Sequence, residues 1–135
     1  MMNGRLAAWA FCILISWATP VPAADEKLHQ QLIGTWEVNV TADDDLVIRQ
    51  VWNLDEKGRF QLITVADRGD RRSISFTAGT WELNERVVVF TIEISDNSAL
   101  ERGHQEKNEV LSISESEVLT RGEDGTIIRA VRRRK

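Results

Sequence analysis

The stretch Gly-Thr-Trp-Glu-Val-Asn at residues 34–39 returns at residues 79–84 as Gly-Thr-Trp-Glu-Leu-Asn, with one conservative change. A glycine just before a tryptophan lets the backbone bend while the indole turns inward, which is how a small curling sheet closes one of its ends. We therefore predict that each copy opens a strand and that Trp36 and Trp81 point into a barrel.

Polar and apolar residues alternate through much of the chain around these two copies. In residues 46–54, for example, Ile48 and Trp52 share one face, while Arg49 and Asn53 fall on the other. This two-residue period is typical of half-buried strands, and clusters of charged residues and glycine mark the turns between them. The pattern predicts eight strands, near residues 34–41, 46–54, 60–66, 73–83, 87–94, 109–114, 117–121 and 126–132.

The predicted fold class is an all-β, eight-stranded antiparallel up-and-down β-barrel. The connections are short, and no predicted helix is long enough for a parallel crossover. Closure of the sheet would remove its two exposed edges. Residues 25–32 read as a short helical turn that caps one end of the barrel, because Leu28 and Leu32 lie one turn apart.

The fourth predicted strand contains a change of face. With strict alternation, Ile74, Phe76 and Ala78 would lie on one face of the strand, and Trp81 would lie on the opposite face. A β-bulge at Gly79 would bring both sets of side chains inward, and a glycine within a strand is a common site for one. We therefore predict a bulge at Gly79, with Phe76 and Trp81 both facing the interior.

The first 23 residues have the features of a cleaved signal peptide. Arg5 precedes an apolar run at residues 6–18, and small residues follow up to Ala23. A run of about 13 apolar residues is short for a membrane anchor, which needs about 20. We expect residues 1–23 to be removed, leaving one domain at residues 24–135 that is secreted, most simply into a periplasm.

The composition argues against several classes of function. The only cysteine, Cys12, lies in the predicted signal peptide, so the mature domain can form neither a disulfide nor a thiolate site. A net charge of −4 argues against nucleic-acid binding. His29 and His104 do not have the spacing of metal ligands, and no nucleophile-elbow motif is present. We predict no catalytic residues, no metal and no cofactor, and interpret Asp43, Asp44 and Asp45 as a hairpin tip.

The first strand begins with Gly34 and Trp36, just after a helical turn. This arrangement resembles the start of the barrel in the lipocalin and calycin superfamily. The second motif, at Gly79 and Trp81, is similar to small secreted bacterial lipocalin-like domains. The resemblance implies a barrel that binds small molecules, and a basic residue of the last strand packed over Trp36, for which Arg129 is the matching position. The chain lacks the Thr-Asp-Tyr motif of full lipocalins and is shorter, which argues against a large cavity.

Two hypotheses for function follow. In the first, the barrel carries or senses a small apolar molecule, held by inward-facing residues that otherwise act as a core plug: Trp36, Trp52, Phe60, Phe76, Trp81 and Gln50. In the second, the barrel is filled and binds a protein through its hairpin loops and residues 95–109. A cavity of a few hundred Å³ favours the first hypothesis, and a packed interior favours the second.

The basic end of the chain forms a separate candidate surface. Arg132, Arg133, Arg134 and Lys135 follow one another in an otherwise acidic protein. Such a run could contact an anionic envelope surface, or it could be a solvated terminus.

Overall fold

The computed structural model describes residues 23–42, 45–97 and 100–134. The predicted signal peptide up to residue 22, Asp43, Asp44 and Lys135 lie outside the described residues. The described residues form one helix and eight strands: α1 (Ala23–Leu32), β1 (Gly34–Thr41), β2 (Leu46–Leu54), β3 (Arg59–Arg68), β4 (Arg71–Asn84), β5 (Val87–Ser95), β6 (Gln105–Ile113), β7 (Glu117–Gly122) and β8 (Ile127–Arg132).

The strands form a closed barrel in which each one pairs antiparallel with its neighbours in the chain, and β8 returns to pair with β1. The predicted fold class, an eight-stranded antiparallel up-and-down barrel with a short N-terminal helix, is therefore confirmed. Within the described residues, no helix has the length and apolar character needed to cross a membrane.

The two ends of the barrel differ. Helix α1 lies at the end where β1 begins, and it buries Leu28 and Leu32 against the strands. The core is concentrated near this end and contains Trp36, Val38, Leu54, Phe60, Leu62, Trp81, Val88, Phe90, Ile92, Val110, Val118 and Ala130. At the far end of β1, Val40 shares the inward face of Trp36 and Val38 and yet is 44% exposed. The barrel is thus closed at the helix end and more open at the other.

A register shift does occur beside Gly79, but the extra residue belongs to β5. Ala78 is opposite Ile94 and Gly79 is opposite Ile92, so Glu93 has no partner on β4. The β3·β4 ladder runs through the same region without interruption. Inward and outward side chains therefore continue to alternate along β4 without a break. Gly79 and Trp81 both lie on the inward face.

Phe76 consequently lies on the outer face of β4, where it is 38% exposed. The prediction that Phe76 faces the interior is wrong, because a bulge changes the parity only of the strand that carries the extra residue. The expectation that the second Gly-Thr-Trp copy opens a strand is also wrong. It lies within β4, whereas Gly34 does begin β1 as predicted.

Gly79 is required by close packing of the backbone. A Cβ atom built on Gly79 would overlap the carbonyl oxygen of Thr91, and it would lie 3.0 Å from both the Glu93 nitrogen and the Phe60 ring. The bulged segment of β5 therefore approaches β4 at a point where only glycine leaves enough room.

The largest difference between a predicted and an observed strand start is in β6. Strand β6 starts at Gln105 rather than near residue 109, and residues 105–107 pair with Thr91, Phe90 and Val89 of β5. These first side chains are polar and exposed, so the hydrophobic pattern does not indicate a strand there. The ladder to β5 extends the strand through backbone hydrogen bonds, which do not depend on the side chain in any residue except proline.

Candidate functional site

Trp36 links the helix to the barrel at the closed end. Its side chain is 3% exposed, and its Nε1–H donates a hydrogen bond of 2.9 Å to the carbonyl oxygen of Leu32, the last residue of α1. A helix leaves its last carbonyl groups without partners, so this bond also satisfies the end of α1. Trp36 is thereby fixed in one orientation, with its ring against the interior.

The basic residue over Trp36 is Arg132. Its guanidinium carbon lies 4.2 Å from the centroid of the Trp36 ring, the geometry of a cation–π contact. The same guanidinium donates hydrogen bonds to the carbonyl oxygens of Gln31 and Ile33, and its Nε donates to that of Glu115. One side chain therefore connects the end of α1, the loop before β7, and the first and last strands.

The prediction that Arg129 packs over Trp36 is wrong. Trp36 is directly opposite Arg132 in the β1·β8 ladder, and Arg129, three residues earlier, has the opposite parity and points outward. The Arg129 side chain is 64% exposed and forms an ion pair of 2.6 Å with Glu117.

Trp81 also closes the helix end rather than lining a cavity. Its Nε1–H donates to the carbonyl oxygen of Asp55 at 3.1 Å, and its ring stacks on His29 of α1 with the two centroids 4.7 Å apart. Trp36 and Trp81 thus both hold the helix against the barrel, and Trp81 has a packing role only.

The interior contains a cavity of about 80 Å³ between this closed end and the centre of the barrel. Ten of its thirteen lining residues are apolar, and the lining contains no charged residue. The lining consists of Leu32, Trp36, Val38, Gln50, Trp52, Leu54, Val88, Phe90, Asn108, Val118, Thr120, Ile128 and Ala130. Four of the six residues predicted for a pocket or plug surround the space directly or pack behind it: Trp36, Trp52, Gln50 and Phe60.

One wall of the cavity is aromatic. The ring centroids of Trp52 and Phe90 are 4.9 Å apart, and Phe60 meets Phe90 edge to face at 5.1 Å. Phe60 is 2% exposed and lies behind the wall, where it supports the two lining rings. Tilted and edge-to-face contacts of this kind fix ring orientation, so the wall is a preformed apolar surface.

Three polar side chains lie toward the more open end of the cavity. Gln50, Asn108 and Thr120 come from β2, β6 and β7, and each is half-buried. The Trp52 Nε1–H donates a hydrogen bond of 3.3 Å to Gln50 Oε1. The amide groups of Gln50 and Asn108 and the hydroxyl of Thr120 can both donate and accept hydrogen bonds. An apolar space with a small polar group at its entrance is the usual composition of a small-molecule site.

Sequence reasoning missed Phe90, Asn108 and Thr120. Phe90 lies in an uninterrupted apolar run, residues 87–90, in which alternation does not distinguish the two faces. Asn108 precedes the predicted start of its strand. The sequence contained a weak indication for Thr120, because it lies two residues after Val118 and so on the same face of the strand. A single threonine in a short strand, however, does not indicate a cavity wall.

Of the three described arginines at the basic end of the chain, Arg132 does not belong to the exposed surface. Arg132 is half-buried and bound to backbone carbonyl groups, as described above, because its position in β8 turns it inward. Arg133 forms an ion pair with Glu37 at 3.2 Å, and Arg134 is exposed. In the described part of the chain, no group of three or more histidine, cysteine or acidic side chains is arranged to hold a metal ion.

No protein-family model matches the chain, and no curated protein matches it.

Proposed function

We propose that this protein is a lipocalin-like binding protein whose barrel takes up a small, mainly apolar, uncharged molecule with one polar end. The observation that carries the proposal is the composition of the cavity lining rather than its volume: rings and aliphatic side chains lie at the closed end, and Gln50, Asn108 and Thr120 lie toward the other. We also propose that the protein is secreted, as the apolar segment at residues 6–18 suggests, and that it acts by binding rather than by catalysis.

The size of the cavity limits the ligand. Sites for drug-sized molecules usually enclose about 300–1,000 Å³, and an engineered apolar cavity of about 150 Å³ holds benzene. A space of about 80 Å³ therefore fits a short alkyl group or part of a ring. The remainder of the molecule would extend toward the exposed end near Val40, or side chains would have to move to admit it.

The lining determines the charge of the ligand. Transfer of an ionised group into an apolar space without a paired charge is strongly unfavourable, and no charged side chain lines the cavity. A neutral hydroxyl or carbonyl group, in contrast, could exchange hydrogen bonds with Gln50 or Asn108. We therefore expect an alcohol, aldehyde or amide to bind better than the carboxylate of the same chain length.

The first test is native mass spectrometry of the protein purified gently from its own cells. A co-purifying molecule of low mass would identify the cargo. A defined pair of probes, 1-hexanol and hexanoate at neutral pH, then tests the chemistry by NMR titration. We expect hexanol to shift the Trp52 indole N–H resonance and the methyl resonances of Val38 and Val118, with at least about tenfold weaker binding of hexanoate. Equal shifts for both probes, or shifts confined to surface residues, would contradict the proposal.

A second candidate function is a filled barrel that binds another protein through its hairpin loops and residues 95–109. The observation that favours it is again the cavity volume, which is well below the few hundred Å³ expected for a carrier. In this case the protein would carry no small molecule when purified, hexanol would not enter the barrel, and another polypeptide would accompany the protein in the native mass spectrum.

A further inference from the structure

Strand β2 carries Gln50 on its inward face, and the next two strands carry polar side chains opposite it. Gln50 is opposite Thr64 of β3, and Thr64 is opposite Ser75 of β4. Residues directly opposite each other in an antiparallel sheet have their side chains on the same face. Because Gln50 lines the cavity, Thr64 and Ser75 also face the interior of the barrel.

The other wall of the barrel has polar side chains as well. Asn108 of β6 and Thr120 of β7 line the cavity on that side. We call Gln50, Thr64, Ser75, Asn108 and Thr120 the polar belt. All five are half-buried, none is charged, and they come from five different strands. The belt therefore surrounds much of the interior, at the end of the cavity away from helix α1.

The interior becomes accessible at the level of the belt. Val38 is opposite Gln50, and Val40 faces the interior two residues farther from the helix end. Val38 is 4% exposed, whereas Val40 is 44% exposed. A molecule that is seated in the cavity and extends toward the open end would therefore pass between the polar side chains of the belt.

Much of the hydrogen-bonding capacity of the belt is unused. Apart from Gln50, no side chain of the belt forms a hydrogen bond with another described residue. The more deeply buried hydroxyl group of Thr77, in contrast, is bonded to that of Ser95 at 2.8 Å. Half-buried polar groups without a protein partner bind water or a ligand. The belt can therefore exchange hydrogen bonds with a bound molecule.

The orientation of the Gln50 amide is fixed by Trp52. The indole N–H of Trp52 can only donate, and it lies 3.3 Å from Gln50 Oε1. The amide oxygen is therefore directed toward Trp52, and the amide NH₂ group is on the other side of the amide carbon. Within the described part of the chain, this NH₂ group forms no hydrogen bond. Gln50 thus contributes a free donor, whereas the hydroxyl groups of the belt can donate or accept.

These groups match an uncharged head with several hydroxyl groups. A single hydroxyl or carbonyl group would reach one wall, whereas the belt has partners on both. Each hydroxyl group of a polyol can donate and accept, so it can bind amide and hydroxyl groups alike. An anionic head is disfavoured, because the belt contains no cation and the carboxylate of Glu106 faces the interior two residues before Asn108.

We propose that the polar belt binds the head of an amphiphile with a neutral polyol head, such as a monoalkyl glycerol, while the alkyl chain of the amphiphile enters the cavity. This inference rests on the proposed function, because the head meets the belt only if the chain enters the cavity. It adds the class of the head, which has two or more hydroxyl groups. It also makes Thr64 and Ser75, which do not line the cavity itself, residues that determine specificity.

Two probes with the same alkyl chain test the class of the head. In 1-O-hexylglycerol, an ether oxygen and two hydroxyl groups replace the single hydroxyl group of 1-hexanol. We expect NMR titration of the purified protein to show at least about fivefold tighter binding of hexylglycerol, because each added hydrogen bond contributes a modest net amount. The side-chain NH₂ resonances of Gln50 and Asn108 should shift more with hexylglycerol than with hexanol. The di-O-methyl derivative keeps the oxygens but cannot donate, and it should lose most of the increase in affinity.

Two variants test the residues. Thr64→Val and Ser75→Ala each remove one hydroxyl group with little change in volume. The readout is the ratio of the hexanol to the hexylglycerol dissociation constant, measured within one variant. Each variant should lower this ratio at least about twofold, and the double variant should bring it close to one. Thr80→Val is the matched control, because Thr80 is exposed on the outer face of β4, and it should keep the ratio of the unaltered protein. An unchanged ratio in the double variant would overturn the proposal.

The comparison of probes in the unaltered protein needs no variant, and it distinguishes the two proposals. If hexanol does not enter the cavity, both proposals fail. If hexanol enters the cavity and hexylglycerol binds no more tightly, only the proposal for the belt fails, and its side chains bind water alone. Tighter binding of hexylammonium than of hexylglycerol would overturn the proposal for the belt in favour of charge recognition by Glu106.

Discussion

The guanidinium carbon of Arg132 lies 4.2 Å from the centroid of the Trp36 ring, so the last strand of the barrel covers the first tryptophan of the first strand. The same guanidinium binds the carbonyl oxygens of Gln31 and Ile33 between α1 and β1. This pair of residues therefore joins the two ends of the described chain where the sheet closes. It is also one of the contacts that keep helix α1 over the closed end of the cavity.

Arg132→Ala should lower the free energy of unfolding by about 2 kcal/mol. The substitution removes the cation–π contact and leaves partly buried carbonyl groups without their donor. The measurement is urea denaturation followed by tryptophan fluorescence. Arg129→Ala is the matched control on the same strand, and it should cost less than about 1 kcal/mol, because an exposed ion pair contributes little. Equal losses for the two variants would show that the Trp36 contact is not the important one.

Gly79→Ala should be more damaging than the size of a methyl group suggests. The added Cβ would overlap the Thr91 carbonyl oxygen, which is backbone and cannot move without shifting β5. We expect a loss of about 3 kcal/mol in thermal or urea unfolding. Gly122→Ala is the control, because the nearest atom to its Cβ would be the Asp124 side-chain oxygen at 3.2 Å. The prediction fails if both variants unfold like the wild-type protein.

Ala130→Leu should abolish binding of hexanol or of the natural cargo without unfolding the barrel. Ala130 is 8% exposed and lines the cavity, so the larger side chain would occupy the available space. Val131→Leu is its control, because Val131 lies one residue later on the outer face and is 42% exposed. Retained ligand binding in Ala130→Leu would place the ligand outside this cavity.

The turn between β7 and β8 should make stability depend on pH below the physiological range. The Thr126 backbone N–H donates to Asp124 at 2.9 Å, and the Thr126 hydroxyl adds a second bond, which together lower the pKa of Asp124 below its ordinary value of 3.8. The folded protein therefore favours the carboxylate. This stabilisation is complete above the ordinary pKa and is lost as the pH falls through the lower, folded-state pKa.

NMR titration of the Asp124 carboxyl resonance checks this expectation. The folded protein should titrate below 3.8, and Thr126→Val, which keeps the N–H but removes the hydroxyl, should show a smaller shift of the same sign. A midpoint at or above the ordinary value in the folded protein would contradict the assigned hydrogen bonds.

Much of the barrel could be predicted from local patterns. The alternation around Trp52 correctly assigned the two faces of β2, and the charged turns separated eight strands that pair in chain order. These patterns also restrict the register of neighbouring strands, because a slip of one residue would turn the apolar side chains outward, but they do not locate the register shift beside Gly79. The helix before Gly34 was indicated by the spacing of Leu28 and Leu32, both of which are buried.

The candidate site could be predicted only in part. Trp36, Trp52 and Gln50 were indicated by parity and do line the cavity, and the structure adds Phe90, Asn108 and Thr120. Phe76 was wrongly assigned because the bulge lies on β5, at Glu93, and nothing in the sequence of β4 shows which strand carries the extra residue.

Local patterns in the sequence predict eight strands, their order and the inward position of Trp36, Trp52 and Trp81, since these depend on alternation and turn chemistry within short stretches of chain. The folded barrel was needed to show that Arg132 rather than Arg129 covers Trp36, that the cavity measures about 80 Å³, and that one edge of β4 extends beyond β5. Each of these depends on the stagger with which distant strands meet when the barrel closes. That stagger is set by the packing of the whole interior and not by any local pattern.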